Sequence, residues 1–404
     1  MNLSLAWRNV WRNKMRSMLI AASVSIGLFA GLFVLGLYAG MMRARVRTVI
    51  DAEVAHLQLH DPRFKSDYDP SFTLTHLEET LGVLKQMSSV RYIASRTIAQ
   101  GMLATTTGTA GVQINGIDME AENNVSQMHK KIIEGDGLTA DKKNGILIGK
   151  KQADKMKLKV GSKLVLTFTD RESNITAGAF RVSGIYETVN APLDERNVFV
   201  NQSTLSRYLD IEGESHEIAV ILHRDEDVDA VKQTLQRKFP EYSIKDWRDN
   251  SPETDLMVGV VDQYSAIMMV IIMISLAFGI ANTMLMSVLE RTREIGMLSA
   301  LGMNQRRVFM LVLSETVMLT LAGVPVGLTI AWLVIYYYAG AGIDISSFSG
   351  EAMSGFGFGS VIYPEFPTDS LGIVMMIVIS TALISSLFPS LKAIKLQPSE
   401  ALRQ

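Results

Sequence analysis

A chain of 404 residues with a mean hydropathy of only +0.19, yet with several charge-free apolar runs longer than about 18 residues, is a membrane protein with much of its length outside the lipid. It holds no cysteine, which excludes disulfides, thiol catalysis and cysteine-ligated metals. The net charge of −2 hides a partition: residues 48–262 carry 25 Lys/Arg against 33 Asp/Glu while the remainder sums to +6, so the basic residues do not gather on a folded domain as nucleic-acid binding requires.

Residues 3–17 predict an amphipathic helix, with Leu3, Trp7, Val10, Trp11, Met15 and Met18 on one face and Arg8, Arg12 and Arg16 on another. Tryptophan beside arginine suits the headgroup layer, so Trp7, Arg8, Trp11 and Arg12 are candidate contacts to membrane lipids on the cytoplasmic face. The apolar run that follows is too long for the core of a signal peptide, and no small-residue cleavage site follows it, so a retained anchor is expected. This first span, residues 18–42, has 25 residues without a charge and contains Gly27, Gly31, Gly36 and Gly40, small enough to permit close helix contact. Arg43, Arg45 and Arg47 come next.

From about residue 48 to 252 the pattern becomes that of a water-soluble α/β domain. Alternating runs such as residues 54–60 and 160–169 predict strands, and residues 74–87 and 228–239 predict helices. The strand-rich middle, roughly 115–200, reads as a β-rich subdomain inserted into an α/β one. The whole block between the first and second spans is residues 43–262. The second, third and fourth spans are residues 263–289, 308–338 and 371–391, joined by an island at 290–307 and a loop at 339–370, with a tail at 392–404. Six glycines between residues 340 and 359 predict a mobile outer loop.

Orientation follows from charge. The N-terminal segment, the island and the tail together hold 11 basic and 3 acidic residues, whereas the 339–370 loop has four acids and no base. Both termini and the island are therefore expected in the cytoplasm and the large domain outside it. The expected fold class is an α-helical membrane protein with four transmembrane helices and a large α/β (α+β) extracytoplasmic domain between the first and second.

No catalytic apparatus stands out. Gly145 to Lys151 has three residues between its glycines, and a lysine where a phosphate-binding loop needs Ser or Thr to reach magnesium. It reads as a strand-to-helix turn. His56 and His60 lie in an alternating segment, where their side chains would stand roughly 13 Å apart, so no metal site is expected. Glu315 in the third span and Asn282 in the second are the candidate intramembrane polar residues, with Arg306, Arg307 or Arg12 as expected partners of the carboxylate. The spans hold no other acid and no base, which argues against proton-coupled transport.

The island is the most informative stretch. Ile295, Leu298 and Leu301 recur at helical spacing before Gly302, a residue suited to end a helix. Arg291, Arg293 and Glu294 offer polar contacts. A turnaround between two spans needs none of this, so the island is expected to be a helix pushed on from the cytoplasm.

With Leu289-Glu-Arg-Thr-Arg-Glu-Ile-Gly-Met-Leu-Ser-Ala-Leu-Gly302, Ser314-Glu315, the tail from Pro389 to Arg403, and Gly149–Gly161 and Val182–Tyr186 in the outer block, the chain resembles the permease subunits of the MacB/FtsX-like superfamily of ABC transporters, which includes the lipoprotein-releasing LolC/LolE type. The resemblance covers essentially the whole chain. It implies a MacB-type outer domain on helical stalks at residues 43–54 and 253–262, and a coupling helix at Arg291, Arg293, Glu294, Ile295, Gly296, Leu298, Leu301 and Gly302, received by a groove on an ATPase. It further implies two ATPase copies holding ATP and magnesium, a second permease in a homo- or heterodimer, and a periplasmic carrier or adaptor. Without a fused ATPase domain, this chain is expected to be a non-catalytic subunit binding no cofactor itself. It would transmit ATP-driven motion to the outer domain, exporting or extracting a substrate such as a lipoprotein or an efflux compound. The rival readings are an FtsX-like transmitter that regulates cell-wall hydrolases, and a membrane receptor with no ATPase.

Overall fold

The computed structural model describes residues 14–139, 144–301, 303–347, 353 and 355–394. In chain order the principal helices are α1 (Lys14–Thr48), α2 (Leu77–Gln86), α3 (Met119–Val125), α4 (Lys150–Met156), α5 (Ala191–Arg196), α6 (Gln202–Leu209), α7 (Val228–Lys238), α8 (Pro252–Glu290), α9 (Thr292–Ala300), α10 (Gln305–Ala341) and α11 (Leu371–Ile394). The strands are β1 (Leu57–His60), β2 (Val90–Thr105), β3 (Gly108–Ile117), β4 (Ile132–Gly135), β5 (Gly145–Gly149), β6 (Lys163–Thr169), β7 (Ile175–Tyr186), β8 (Asn197–Asn201), β9 (Glu217–Leu222), β10 (Ser243–Asp246), β11 (Ile343–Asp344) and β12 (Val361–Ile362). The chain divides into a helical unit, drawn from residues up to 42, 258–344 and 361 onward, and an α/β unit of residues 43–257 and 345–360.

In the helical unit, α1, α8, α10 and α11 are long and apolar enough to cross a membrane. Ile20, Val24, Leu28 and Leu32 form one stripe of α1 and meet Leu276 and Ile280 of α8, Leu319 and Val324 of α10, and Val374 and Val378 of α11. The tightest approach is made by Gly323 and Gly327 of α10. A Cβ at Gly323 would stand 2.7 Å from the Ala21 carbonyl oxygen, and one at Gly327 would stand 2.9 Å from that of Ser25. Ser25 Oγ donates to the Gly323 carbonyl at 2.9 Å, so two helices at glycine distance are also tied by a hydrogen bond. Of the glycines expected to serve helix contact, Gly27 lies against Leu276. Gly36 and Gly40 instead receive the backbone of the loop between α10 and α11 at Glu365 and Tyr363, and Glu365 N–H donates to the Gly36 carbonyl at 2.9 Å.

The boundaries differ in places from those expected. α1 is unbroken from Lys14, so Lys14–Ser17 belong to the helix of the first span, while residues 1–13, with Trp7, Arg8, Trp11 and Arg12, lie outside the described residues. α1 continues into a π-helical turn, Val49–Val54, that ends where Ala55 takes φ 59° and its N–H donates to the Ile50 carbonyl. α8 starts at Pro252, a residue suited to a first helical turn, and runs unbroken to Glu290. The glycine-rich loop after α10 forms a short antiparallel pair, Ile343 opposite Ile362; its residues 348–352 and 354 lie outside the described residues.

The α/β unit is built on β2. Its first part pairs with β9, which pairs with β1, and β1 with β10. Leu57, Leu59, Val220 and Ile244 of these strands are buried with Leu84 of α2 and Val231 and Leu235 of α7. The second part of β2 pairs with both β3 and β6, and the succession β2–β3–β8–β5–β7–β6–β2 closes a six-stranded barrel. Leu103, Ile114, Ile146, Leu166, Phe180 and Val198 are buried inside it. The inserted β-rich part therefore begins within β2 and not near residue 115. The two halves share one continuous strand, so no turn marks the change. Its one local sign is Gly101, where a Cβ would come within 2.6 Å of the Thr167 carbonyl of β6.

Candidate functional site: the island between the second and third spans

The island folds as α9, set between the end of α8 and the start of α10. Thr292 Oγ1 donates to the Leu289 carbonyl at 2.6 Å, and Asn304 caps α10 by accepting the Arg306 N–H at 3.3 Å. Arg291, in the turn before α9, points inward. Its Nε donates to Glu294 at 2.9 Å, and its Nη1 donates to both oxygens of Glu315 at 3.2 Å. The Glu315 side chain is 3% exposed and that of Arg291 15%. A carboxylate inside a span is costly unless neutralised and hydrogen-bonded, and this guanidinium does both.

The island itself supplies a partner of Glu315 that the sequence did not suggest, Arg291, whereas Arg306 and Arg307 are both exposed. Arg12 lies outside the described residues. Arg291 is correspondingly no outward contact, because it is spent on the two carboxylates. Ile295 also faces inward, buried with Met284, Val288, Val308 and Val312, and Gly296 beside it is buried. Ile295 and Leu301 are six residues apart, and at about 100° per residue they point some 120° away from each other. They cannot form one docking face. The outward face is Arg293, Met297 and Leu301, four residues apart each, with Arg306 and Arg307 exposed nearby in sequence; Leu301 is 85% exposed and Met297 46%. Met297 was not singled out by the sequence pattern, although its spacing from Arg293 carried the signal. Gly302 and the Leu298 side chain lie outside the described residues. Asn282, the other polar residue predicted inside a span, is exposed on α8 and does not join Glu315.

In the α/β unit, charged side chains lie where the two halves meet. Arg96 donates through Nε and Nη2 to Glu122 at 3.0 and 2.7 Å and through Nη1 to Glu217 at 3.1 Å, and Lys65 reaches Glu217 at 3.2 Å. Burial alone would lower the Arg96 pKa, but Glu122 and Glu217 hold it above its ordinary value. Burial likewise pushes the Glu217 carboxyl up, and Lys65 and Arg96 overcome this and hold it below the usual range. Near the end of α1, Arg45 pairs with Glu53 at 2.7 Å, and Glu53 also accepts from Asn190, the cap of α5, at 2.7 Å. Arg45, three residues after the first predicted span, is thus buried and paired. His56 pairs with Asp225 at 2.9 Å, and His60 is fully buried. Gly149 and Lys150 form the expected strand-to-helix turn from β5 into α4.

Residues 17–238, more than half of the chain, match the MacB-like periplasmic core domain, and residues 266–398 match the FtsX-like permease C-terminal domain. The chain belongs to this family of ABC transporter permeases. An uncharacterised ABC transporter permease of Methanocaldococcus jannaschii is 29% identical over 161 residues, covering 38% of this chain and 40% of that one. The lipoprotein-releasing system transmembrane protein LolC of Neisseria meningitidis serogroup B is 23% identical over 414 residues, covering 95% of this chain and 92% of that one. The macrolide export ATP-binding/permease protein MacB of Chlorobaculum tepidum is 34% identical over 125 residues, which is 31% of this chain and 16% of that one. The chain therefore spans well under two thirds of some of these relatives. Among solved structures, the periplasmic region of MacB from Actinobacillus actinomycetemcomitans is 13% identical and covers 52% of this chain and 95% of its own, with a TM-score of 0.35.

Proposed function

We propose that this chain is the membrane subunit of an ABC transporter in which α9 receives the movement of a cytoplasmic ATPase and the outer domain delivers it to an extracytoplasmic substrate. ATP and magnesium belong to the motor in this reading. The observation that carries it is the Arg291–Glu294–Glu315 clasp. The outward side of α9 presents arginine, methionine and leucine to a partner, while its inward side is bonded through Arg291 to the interior of α10. A force on α9 is thereby delivered to a span rather than absorbed by a loop. The concentration of basic residues in the N-terminal segment, island and tail supports placing all three in the cytoplasm.

Extraction of a lipoprotein from the outer leaflet is the favoured activity, because the LolC relative aligns along 95% of this chain whereas the MacB relative aligns along 31%. The test is purification of the full chain in mild detergent. An ATPase is expected to co-elute with the wild type and to be lost from Leu301→Asp and Met297→Asp, both of which insert normally, and a lipid-modified protein is expected with the outer domain. An ATPase that co-elutes undiminished with both variants would overturn the coupling role, and a cell-wall hydrolase in place of the lipoprotein would favour signal transmission.

A further inference from the structure

Where the two halves of the α/β unit meet, the bonded pair Arg96 and Glu217 lines a cavity of about 240 Å³. That is the volume of about eight waters and lies below the usual range for drug-sized ligands, so it suits a small molecule. Its walls come from β1, β2, β3, β8 and β9, from the π-helical turn after α1, and from the short helix Phe64–Asp67 with Tyr68 at its end.

The charges of this wall are already matched. Lys65 and Arg96 pair with Glu217, Arg96 also with Glu122, and Glu53 with Arg45. An anion entering here meets three carboxylates, and a cation meets the guanidinium and the ammonium, so the cavity favours neither sign. What stays open is a set of single hydrogen-bonding atoms. Lys65 donates to Gln58 Oε1 at 3.2 Å, which fixes that amide and leaves its Nε2 without a partner among the described residues, although Gln58 is only 2% exposed. The Tyr68 hydroxyl makes no hydrogen bond among them either. Glu53 receives both Arg45 and Asn190 on Oε1, leaving Oε2, and Asn250 donates through Nδ2 to the Lys245 and Asp246 carbonyls, leaving Oδ1. A buried donor of this kind is costly to leave unmet. Open donors and open acceptors thus line one small space, beside the apolar side chains of Ile98 and Phe199. A hydroxyl both donates and accepts, so an uncharged molecule with several hydroxyls answers all four atoms.

We propose that this cavity binds a neutral polyhydroxylated ring the size of a single hexose, as a free sugar or as the end of a glycan. The inference concerns the α/β unit alone and does not rest on the coupling role of α9, so either can fail without the other.

The test is saturation-transfer NMR on the full chain in a detergent without a sugar headgroup. D-glucose, D-galactose and N-acetyl-D-glucosamine serve as free rings, and lactose and chitobiose as glycan ends. Binding of a free ring identifies a soluble sugar, and binding of the disaccharides alone identifies a glycan end. Tyr68→Phe removes a hydroxyl that bonds to nothing in the protein, so it is expected to keep the melting temperature and weaken binding about two- to tenfold. Gln58→Leu is expected to weaken binding about tenfold or more. No response to any of these sugars, as for a cavity that holds water alone, would overturn the proposal. So would an affinity unchanged in Tyr68→Phe, or binding of glycine or inorganic phosphate in place of the sugars.

Discussion

Arg291 Nη1 lies 3.2 Å from both carboxylate oxygens of Glu315, two residues that the sequence places 24 positions apart on either side of a helical turn. The contact joins the end of one membrane-type helix to the inside of the next. It makes the island part of the bundle, and everything proposed about force transmission depends on it.

If the pair acts as a unit, the two single losses will not add. Arg291→Met and Glu315→Met are each expected to cost about 3 kcal/mol, and the double variant is expected to recover much of this, with a coupling energy of about 1 to 3 kcal/mol. Thermal unfolding of the four proteins in one detergent measures the cycle. Additive losses would show that the contact carries no specific energy.

The approach of α10 to α1 rests on the absence of side chains at Gly323 and Gly327. Gly323→Val is expected to destabilise the helical unit by about 1 to 3 kcal/mol, because the added atoms meet backbone that cannot move aside. Gly372→Ala, where the added carbon meets open space, is expected to leave the melting temperature unchanged or slightly raised.

Acid is expected to weaken the α/β unit through His60. Burial, aided by Lys65, lowers its pKa from 6.5 to about 4. Between those values the unfolded chain binds a proton that the folded one refuses, so stability falls as pH drops from 6.5 to about 4. The loss is on the order of 2 to 3 kcal/mol. Glu217, held low, adds a loss below its ordinary value of 4.5, whereas Asp194, raised by burial to about 6, acts in the opposite direction between 3.8 and 6. Denaturant unfolding of the full chain at pH 7 and pH 4 isolates the histidine by comparison with His60→Leu, which is expected to lose less. Equal losses in the two proteins would remove His60 from the account.

At the other end of α1, Arg45→Ala is expected to free Glu53 from its cation and loosen the Asn190 cap of α5. Hydrogen exchange in Ala191–Arg196 should accelerate by about tenfold or more while exchange in α7 stays unchanged, a difference that mass spectrometry of the full chain resolves. Uniform acceleration would indicate global destabilisation instead.

Much of this architecture was legible in the sequence because each span is a long apolar run and each strand near β5 or β9 is bounded by turn residues or charge. The helical island was also legible from Ile295 and Leu298 at helical spacing. What was not legible was its rotation. A stripe of apolar residues shows that a helix has an inward side, but not which of two neighbouring stripes it is. Arg291 read as a surface contact because its partner, Glu315, comes from a different helix. The barrel boundary was missed for a related reason: β2 serves both halves without a break, and only Gly101 hints at the crossing. The contact of Gly323 with Ala21 was hidden because a glycine within an apolar run does not show which neighbouring helix approaches it.

The central claim, that α9 is the surface on which a motor pushes, is tested most directly by placing a photo-reactive amino acid at Leu301 and, separately, at Ile295 in the intact membrane. Cross-linking to an ATPase from Leu301, with cross-linking only to this chain's own helices from Ile295, is the predicted result. Capture of an ATPase from Ile295 and not from Leu301, or from neither, would contradict it.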